Sequence, residues 1–194
     1  MVRVGLVGCG TIGSQLALAV QRKYPAAAKV TGLHDVDRAH AVALQHRLRS
    51  HPPIRAHPAL IRSSHLVIEA ASAGIALEVV QRALRAKRSV LVMSVGGLLR
   101  SSSWQRLARR SGATVYIPSG ALAGLVGVKA MAVGRIRRVS LTTRKPPRAF
   151  AGSPYVRGKG VVLEHLRSAT LLFDGSPGDA VKAFPQNTNV AAAL

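Results

Sequence analysis

The sequence predicts an α/β fold in which a doubly wound parallel sheet is followed by a smaller α/β unit. An apolar strand, a glycine-rich turn and the start of a helix follow one another over residues 2–20. Strand-like apolar runs then alternate with helical patterns as far as residue 118, as in successive βαβ units. The length of 194 residues suits one large domain, or one domain and part of a second.

The glycine-rich turn has the spacing of a dinucleotide-binding site. Gly8, Gly10 and Gly13 follow a short β-prone run in the pattern G-x-G-x-x-G. Gly8 permits a tight turn, Gly10 leaves room for a pyrophosphate, and Gly13 lets the helix approach the sheet closely. The phosphates would lie at the N-terminus of the helix, where unpaired N–H groups and the helix dipole favour negative charge.

A candidate ribose ligand follows the second predicted strand. This strand covers residues 29–34 and ends at Asp35, 22 positions after Gly13. In this fold a carboxylate at that place accepts hydrogen bonds from the adenosine ribose and repels a 2′-phosphate, so it favours NAD over NADP. Arg38 could soften this preference. The alternative is that Asp35 is a solvated residue or a helix cap, although Asp37 is the better candidate for the cap.

The elements of the first unit can be placed in order. Ile12, Leu16 and Val20 recur every four residues, so we expect them to form the apolar stripe of the first helix. The later elements are predicted from apolar periodicity and from glycine and proline punctuation: helix 38–50, strand 64–71, helix 77–85, strand 89–94, helix 104–110 and strand 114–117. Residues 69–72, which include Ala71, should approach the cofactor crevice at the carboxyl edge of the sheet.

The pattern changes after residue 118. A helix is predicted over 121–133, a half-buried strand over 137–145 and a helix over 177–183. We therefore predict a dinucleotide-binding domain over residues 1–118 and a substrate and dimerisation domain over residues 119–194.

The charge is strongly basic, with 28 Lys and Arg against 7 Asp and Glu, giving a net charge of +21. Such a balance raises the hypothesis of a nucleic-acid-binding protein. The basic residues are dispersed along the sequence, however, and aromatic residues make up only 4% of it, which disfavours a base-stacking surface. The alternative is that arginines cover solvent faces and helix C-termini, so nucleic acid is not the expected partner.

The remaining composition excludes several classes of site. Cys9 is the only cysteine, so no disulfide is possible and a cytoplasmic location is expected. The histidines lack metal-ligand spacing, so no metal site is expected. Lys129 interrupts the most apolar stretch, 121–133, and no membrane span is expected.

Four motifs together resemble the NAD(P)-dependent L-aspartate dehydrogenases across essentially the whole chain. They are VGLVGCGTIG at 4–13, IPSGALAGLVGVKA at 117–130, VSLTTRKPP at 139–147 and LFDGSPGDAVKAFPQNTNVAAAL at 172–194. The resemblance implies a Rossmann domain followed by an α/β substrate and dimerisation domain, usually in a homodimer. It also implies oxidation of L-aspartate to iminoaspartate, which either supplies quinolinate for pyridine nucleotide biosynthesis or hydrolyses to oxaloacetate and ammonia.

The resemblance also implies roles for individual residues. The pyrophosphate turn comprises Gly8, Gly10, Thr11, Ile12 and Gly13, and Asp35 matches the ribose acid. Ala121 and Asn187 match positions that contact the nicotinamide half of NAD or NADP. A simple turn role remains the alternative for Asn187. Arg144, Lys145 and, more weakly, Asn189 are candidates for the L-aspartate carboxylates and the substrate site.

The catalytic group is not identified. Family members continue beyond the FPQN segment to a histidine that serves in catalysis, whereas this sequence ends at Leu194 before reaching it. His165 lies outside any matching motif, and His34 would lie beside the adenine end of the cofactor, far from the hydride. The expectation is therefore a dehydrogenase whose second domain is incomplete, and the alternative is a non-catalytic NAD-binding fragment.

Overall fold

The computed structural model describes residues 1–119 and 124–184, together with residues 189 and 192. The chain divides into two compact units, which we call unit 1 (Met1–Pro118) and unit 2 (Ser119–Leu194). Unit 1 contains a parallel sheet with helices. The described part of unit 2 contains short helices joined by irregular segments.

Five parallel strands form the sheet of unit 1. They are β1 (Val2–Val7), β2 (Ala28–His34), β3 (Leu66–Glu69), β4 (Ser89–Val92) and β5 (Val115–Tyr116). Their spatial order is β2-β1-β3-β4-β5, so the predicted doubly wound parallel sheet is confirmed. Val7 lies opposite both His34 and Glu69, and Glu69 lies opposite Val92, so four carboxyl ends are aligned. The strand order reverses between β1 and β3, where sheets of this kind bind ligands.

Five α-helices and one 3₁₀ helix accompany the strands. They are α1 (Thr11–Lys23), α2 (Arg38–Arg47), α3 (His57–Ser63), α4 (Ala73–Arg85), the 3₁₀ helix Val95–Arg100 and α5 (Ser103–Ser111). Asp37 caps α2, because its carboxylate accepts a hydrogen bond from the N–H of Ala39 at 2.9 Å. This confirms the expected cap. Helix α3 has no counterpart among the predicted elements, and α4 begins four residues earlier than predicted.

Both faces of the sheet are buried. Successive side chains of β1 point to opposite faces, as strand geometry requires. Val7 packs with Val79 and Leu84 of α4, while Leu6 packs with Leu44 of α2 in a second cluster. Burial on both faces explains the nearly continuous apolar runs of the strands.

The expected apolar stripe of α1 is confirmed for two of its three residues. Leu16 and Val20 are partly buried and pack against the second cluster, whereas Ile12 is 52% exposed. The buried face of this helix consists of Gly13, Ser14 and Ala17. Small residues lie against the sheet here because α1 packs very closely on the glycine turn. A Cβ atom at Gly13 would collide with the carbonyl oxygen of Gly8.

The described part of unit 2 contains three α-helices and two 3₁₀ helices. They are α6 (Leu125–Met131), the 3₁₀ helix Pro147–Phe150, α7 (Pro154–Gly158), the 3₁₀ helix Leu163–His165 and α8 (Pro177–Ala183). Helix α8 confirms the prediction over 177–183. Helix α6 lies within the predicted range 121–133, of which residues 121–123 lie outside the described part. Four aromatic rings pack edge to face between these segments, with centroids 5.2–6.0 Å apart: Phe150, Tyr155, Phe173 and Phe184.

The predicted strand over 137–145 is wrong. These residues have no regular secondary structure, and all of them except Leu141 are exposed. Alternating apolar residues are not sufficient for a strand, because its N–H and C=O groups need a neighbouring strand. The described residues of unit 2 form no strand that could pair with this segment.

Candidate functional site

The glycine turn between β1 and α1 is closed on one side and open on the other. Gly8 has φ +95°, and a Cβ added there would lie 2.5 Å from the carbonyl carbon and oxygen of Ala70. Gly8 and Gly13 therefore allow the turn, β3 and α1 to meet. A Cβ at Gly10 would have no other atom within 4 Å. A pyrophosphate could therefore approach the backbone closely at Gly10.

The N-terminus of α1 faces this open position with free hydrogen-bond donors. Gly10 is its N-cap residue, no side chain caps the helix, and the first turn contains no acidic residue. The N–H groups of Thr11, Ile12 and Gly13 have no acceptor within the helix, whereas that of Ser14 donates to Gly10 at 2.9 Å. A 13-residue helix adds the positive end of its dipole, so this position suits a diphosphate.

Asp35 is fixed beside the turn by two backbone donors. One carboxylate oxygen, Oδ2, accepts a hydrogen bond from the N–H of Cys9 at 2.6 Å, and the other, Oδ1, accepts one from Asp37 at 2.9 Å. The carboxylate thus connects the end of β2 to the glycine turn. Each oxygen retains acceptor capacity for a hydroxyl group.

The single thiol has no nucleophilic character. Cys9 is 3% exposed, and burial, together with the nearby charge of Asp35, raises its pKa to about 12. At neutral pH the group is therefore a thiol, not a thiolate, and its small side chain fills the turn.

Glu69 organises the neighbouring strand ends. Its side chain is fully buried, Oε1 accepts the N–H of Ala71 at 2.9 Å, and Oε2 accepts the N–H of Ser94 at 3.0 Å. Burial raises the pKa of this carboxyl, and the hydrogen bonds from Ser94, Ala71 and Ser72 oppose the rise. Glu69 thereby ties the segments that follow β3 and β4 at the edge where the glycine turn lies.

Two families match the chain. Residues 8–118 match the NAD-binding domain of homoserine dehydrogenases, and residues 127–194 match the C-terminal domain of aspartate dehydrogenases. The L-aspartate dehydrogenase of Methanosarcina barkeri is 40% identical over the whole of this chain and 73% of its own length. The L-aspartate dehydrogenase of Nitrosopumilus maritimus is 34% identical, over the whole chain and 72% of its length.

The chain belongs to the L-aspartate dehydrogenase family.

More distant solved structures share the fold of this family member. A myo-inositol dehydrogenase from Sinorhizobium meliloti aligns with a TM-score of 0.55 and 19% identity, over 80% of this chain and 50% of its own. The biliverdin reductase of Synechocystis, solved with biliverdin and NADP⁺, aligns with a TM-score of 0.53 and 20% identity, over 71% and 44%. At this identity the comparison supports the Rossmann-like fold.

The structure brings together most of the cofactor residues that the sequence predicts in unit 1. Gly8 lies against the backbone of Ala70 and Ala71, and Cys9 connects the same turn to Asp35. Ala71 is exposed at the carboxyl end of β3, with its N–H held by Glu69. The sequence places Glu69 near the cofactor crevice but does not predict its hydrogen bonds with Ala71 and Ser94. The only signal in the sequence was an acidic residue within an otherwise apolar strand.

Three candidate residues of unit 2 lie among the described residues. Arg144 and Lys145 are exposed in an irregular segment, and Asn189 is exposed. Ala121 and Asn187 lie outside the described residues. A cavity of about 380 Å³ next to α8 is lined in part by Tyr155, Phe173, Asp179 and Lys182. The ammonium of Lys182 is already paired with Asp179 at 3.2 Å, so this cavity offers little to an anionic substrate.

Residues 1–119, 124–184, 189 and 192 contain neither a metal-ligand group nor a helix that could span a membrane. No group of three His, Cys, Asp or Glu side chains there could hold a metal ion. No helix in the same residues is long and apolar enough to cross a membrane.

Proposed function

We propose that this chain is an NAD(P)-dependent oxidoreductase that acts on L-aspartate and gives iminoaspartate. The observation that carries this proposal is the continuous match to L-aspartate dehydrogenases over both units, combined with the open glycine turn of unit 1. The iminoaspartate would supply quinolinate synthesis or hydrolyse to oxaloacetate and ammonia.

The cofactor residues in the proposal are those around the turn. Gly8, Gly10, Thr11, Ile12 and Gly13 receive the pyrophosphate, and Asp35 receives the adenosine ribose. Ala71, Ala121 and Asn187 are proposed to contact the nicotinamide half. When bound, the nicotinamide ring accepts the hydride from the α-carbon of the substrate. The chain's own contribution is to bind and orient the two reactants, since proximity supplies much of the acceleration of such steps.

The proposal also covers the substrate residues and the assembly. Arg144 offers a planar guanidinium to a carboxylate, Lys145 adds a second cation, and Asn189 adds an amide. Unit 2 is proposed to contain the substrate and dimerisation surfaces of a homodimer, and the single cysteine fits a cytoplasmic protein.

Calorimetry followed by a turnover assay tests the proposal in one sample. NAD is titrated into the protein, L-aspartate is then added, and NADH is followed by its absorbance. Binding with aspartate-dependent NADH formation supports the dehydrogenase. Binding without turnover supports a non-catalytic NAD-binding protein, and absence of binding contradicts the assigned role of the glycine turn.

Gly10→Ala tests the turn without disturbing the fold. Gly10 has φ −67°, and its Cβ position is open, so the variant should remain folded. Its methyl group would occupy the space proposed for the pyrophosphate, and NAD affinity should fall about tenfold or more, equivalent to about 1.4 kcal/mol. Gly127→Ala is the matched control, because its Cβ position is equally open and lies in α6. Unchanged NAD affinity in Gly10→Ala would contradict the site.

A further inference from the structure

The basic residues that are dispersed in the sequence gather at one edge of unit 1. In a parallel α/β sheet, strands begin and the intervening helices end at the same edge, which we call the amino edge. The last turn of each α-helix of unit 1 contains at least one Lys or Arg, and none of these helices has an acidic residue in its first turn. Arg62, Arg85 and Arg109 are exposed members of this set.

Residues at the strand starts extend the same surface. Arg3 of β1 donates from Nε to the carbonyl of Ser63 at 2.9 Å, and Arg88, just before β4, donates to the carbonyl of Arg62 at 3.2 Å. Both guanidinium groups are therefore held by neutral backbone oxygens and retain their full charge. Lys87 is exposed next to Arg88.

Within unit 1 a single carboxylate, that of Glu78, pairs with a cation of this edge. Unit 1, all of whose residues are described, contains four acidic side chains. Asp35 and Asp37 follow β2, and Glu69 ends β3, all at the opposite edge of the sheet. Glu78 lies within α4 and is paired with Arg82 at 2.8 Å. Helix dipoles favour a cation and disfavour a carboxylate at each helix C-terminus, and the topology of the sheet collects five such helix ends along one edge.

The titration of a neighbouring histidine is consistent with a positive field. His65 is exposed at the amino edge, where its Nδ1 accepts the backbone N–H of Arg3 at 3.3 Å. Its pKa is lowered by desolvation and by the charges of Arg3, Arg88 and the N-terminal amine. All of the charged groups that act on it are cations.

We propose that the amino edge of unit 1 is a binding surface for the phosphate backbone of duplex nucleic acid. Five strands about 4.8 Å apart span about 19 Å. Duplex DNA carries one charge per about 1.7 Å of its axis with both strands counted, so about eleven phosphates lie along this length of duplex, and those on its near side can contact the surface. With aromatic residues at only 4% of the sequence, stacking on single-stranded bases is disfavoured and sequence-independent phosphate contacts are favoured. The surface lies at the opposite end of the strands from the glycine turn.

The test is the salt dependence of duplex binding, measured by fluorescence anisotropy with a labelled random-sequence DNA duplex and the full chain. The edge variant combines Arg62→Gln, Arg85→Gln and Arg109→Gln. The control combines Arg135→Gln, Arg137→Gln and Arg167→Gln, which removes the same charge from exposed positions of unit 2. The edge variant should reduce the magnitude of the negative slope of log K against log salt by about 3, because each lost phosphate contact removes about one. The control should change it much less.

Three results would overturn the proposal. The first is no duplex binding by the native chain at low salt, and the second is an equal loss of slope in both variants, which would reflect net charge alone. The third is tighter binding to anionic lipid vesicles than to the duplex. The far-UV circular dichroism spectrum, measured in parallel, should be unchanged in the edge variant, which shows that it is folded whether or not the chain binds NAD. The proposal thus stands or falls independently of the dehydrogenase function.

Discussion

Two carboxylates at the carboxyl edge of the sheet accept backbone hydrogen bonds, and they differ in their exposure. Asp35 is accessible to a ligand and is fixed by the N–H groups of Cys9 and Asp37. Glu69 is fully buried and receives the N–H groups of Ala71 and Ser94. We therefore expect Asp35 to contact the cofactor, whereas Glu69 positions the backbone near that site.

Replacement of Asp35 should change the choice of cofactor. Asp35→Ser removes the charge that repels a 2′-phosphate, so the ratio of kcat/KM for NADP to that for NAD should rise about tenfold or more, or about 1.4 kcal/mol. Asp37→Ser is the control, since serine also caps helices well and this residue is not proposed to contact the ribose. An equal shift in both variants would contradict the assignment of Asp35. If turnover is undetectable, dissociation constants for the two cofactors give the same comparison.

Glu69 should make stability depend on pH. Because its pKa is raised in the folded protein, the native state binds more protons than the unfolded state above the ordinary glutamate range. The free energy of unfolding should therefore fall as pH rises from the unfolded pKa, near 4.5, toward the raised folded value. One such group contributes a slope of at most about 1.4 kcal/mol per pH unit.

Glu69→Gln should remove that slope, which urea denaturation between weakly acidic and neutral pH would measure. The variant should also be less stable than the native protein at the acidic end of this range, because an amide cannot accept both N–H groups. Glu78→Gln, on the exposed face of α4, is the control. If native protein and Glu69→Gln had the same pH profile, the assigned pKa shift would be wrong.

At the scale of elements, the closest packing in unit 1 is between α1 and the glycine turn. Gly13, Ser14 and Ala17 form the buried face of the helix, and Ala17 is 1% exposed. The hydroxyl of Ser14 donates to the carbonyl of Cys9 at 2.8 Å, which fixes the helix to the turn. Small side chains are therefore required for the helix N-terminus to lie next to β1.

Enlarging this face should destabilise the protein. Ala17→Leu inserts three heavy atoms where the helix meets the sheet, and overpacking of this kind costs about 1–3 kcal/mol. Gln15→Leu adds a similar side chain to the exposed face of the same helix and should change stability by about 0.5 kcal/mol or less. Thermal unfolding of the two variants compares them directly. A well-tolerated Ala17→Leu would contradict the close approach.

Sequence patterns predict an element correctly where the preference of its local residues agrees with the way the element packs in the structure. The strands of unit 1, the cap at Asp37 and helix α8 could be predicted for this reason. The exposure of Ile12 could not be predicted, because the geometry of the glycine turn places Gly13, Ser14 and Ala17 on the most buried face of α1. Helix α3 has no side-chain cap at Ala56 to mark its start, whereas Ser176 caps α8, which has the same length. The segment 137–145 alternates like a strand but has no described partner.

The candidate site was predictable only in part for a similar reason. The glycine turn and Asp35 are set by local spacing, which is visible in the sequence. The hydrogen bonds of Glu69 join residues 25 positions apart and depend on strand order. The amino edge likewise emerges only when five helix ends are brought together.

At the scale of the molecule, net charge should influence cofactor capture. A protein of net charge +21 attracts the negatively charged dinucleotide over distances limited by the Debye length, about 10 Å at 0.1 M salt. The association rate of NADH, followed by stopped-flow fluorescence, should fall several-fold between low and high salt, while the dissociation rate should change little. Sucrose added at constant salt controls for viscosity. A salt effect confined to dissociation would contradict electrostatic steering.

Because Cys9 lies within the glycine turn, the alkylation rate of its thiol should report cofactor binding. Its thiol is the only one in the chain, lies buried within the glycine turn and is protonated at neutral pH. A maleimide can therefore modify the native chain only when the turn opens. NAD bound across that turn should slow the modification, so the alkylation rate gives the opening free energy of the site without an engineered label.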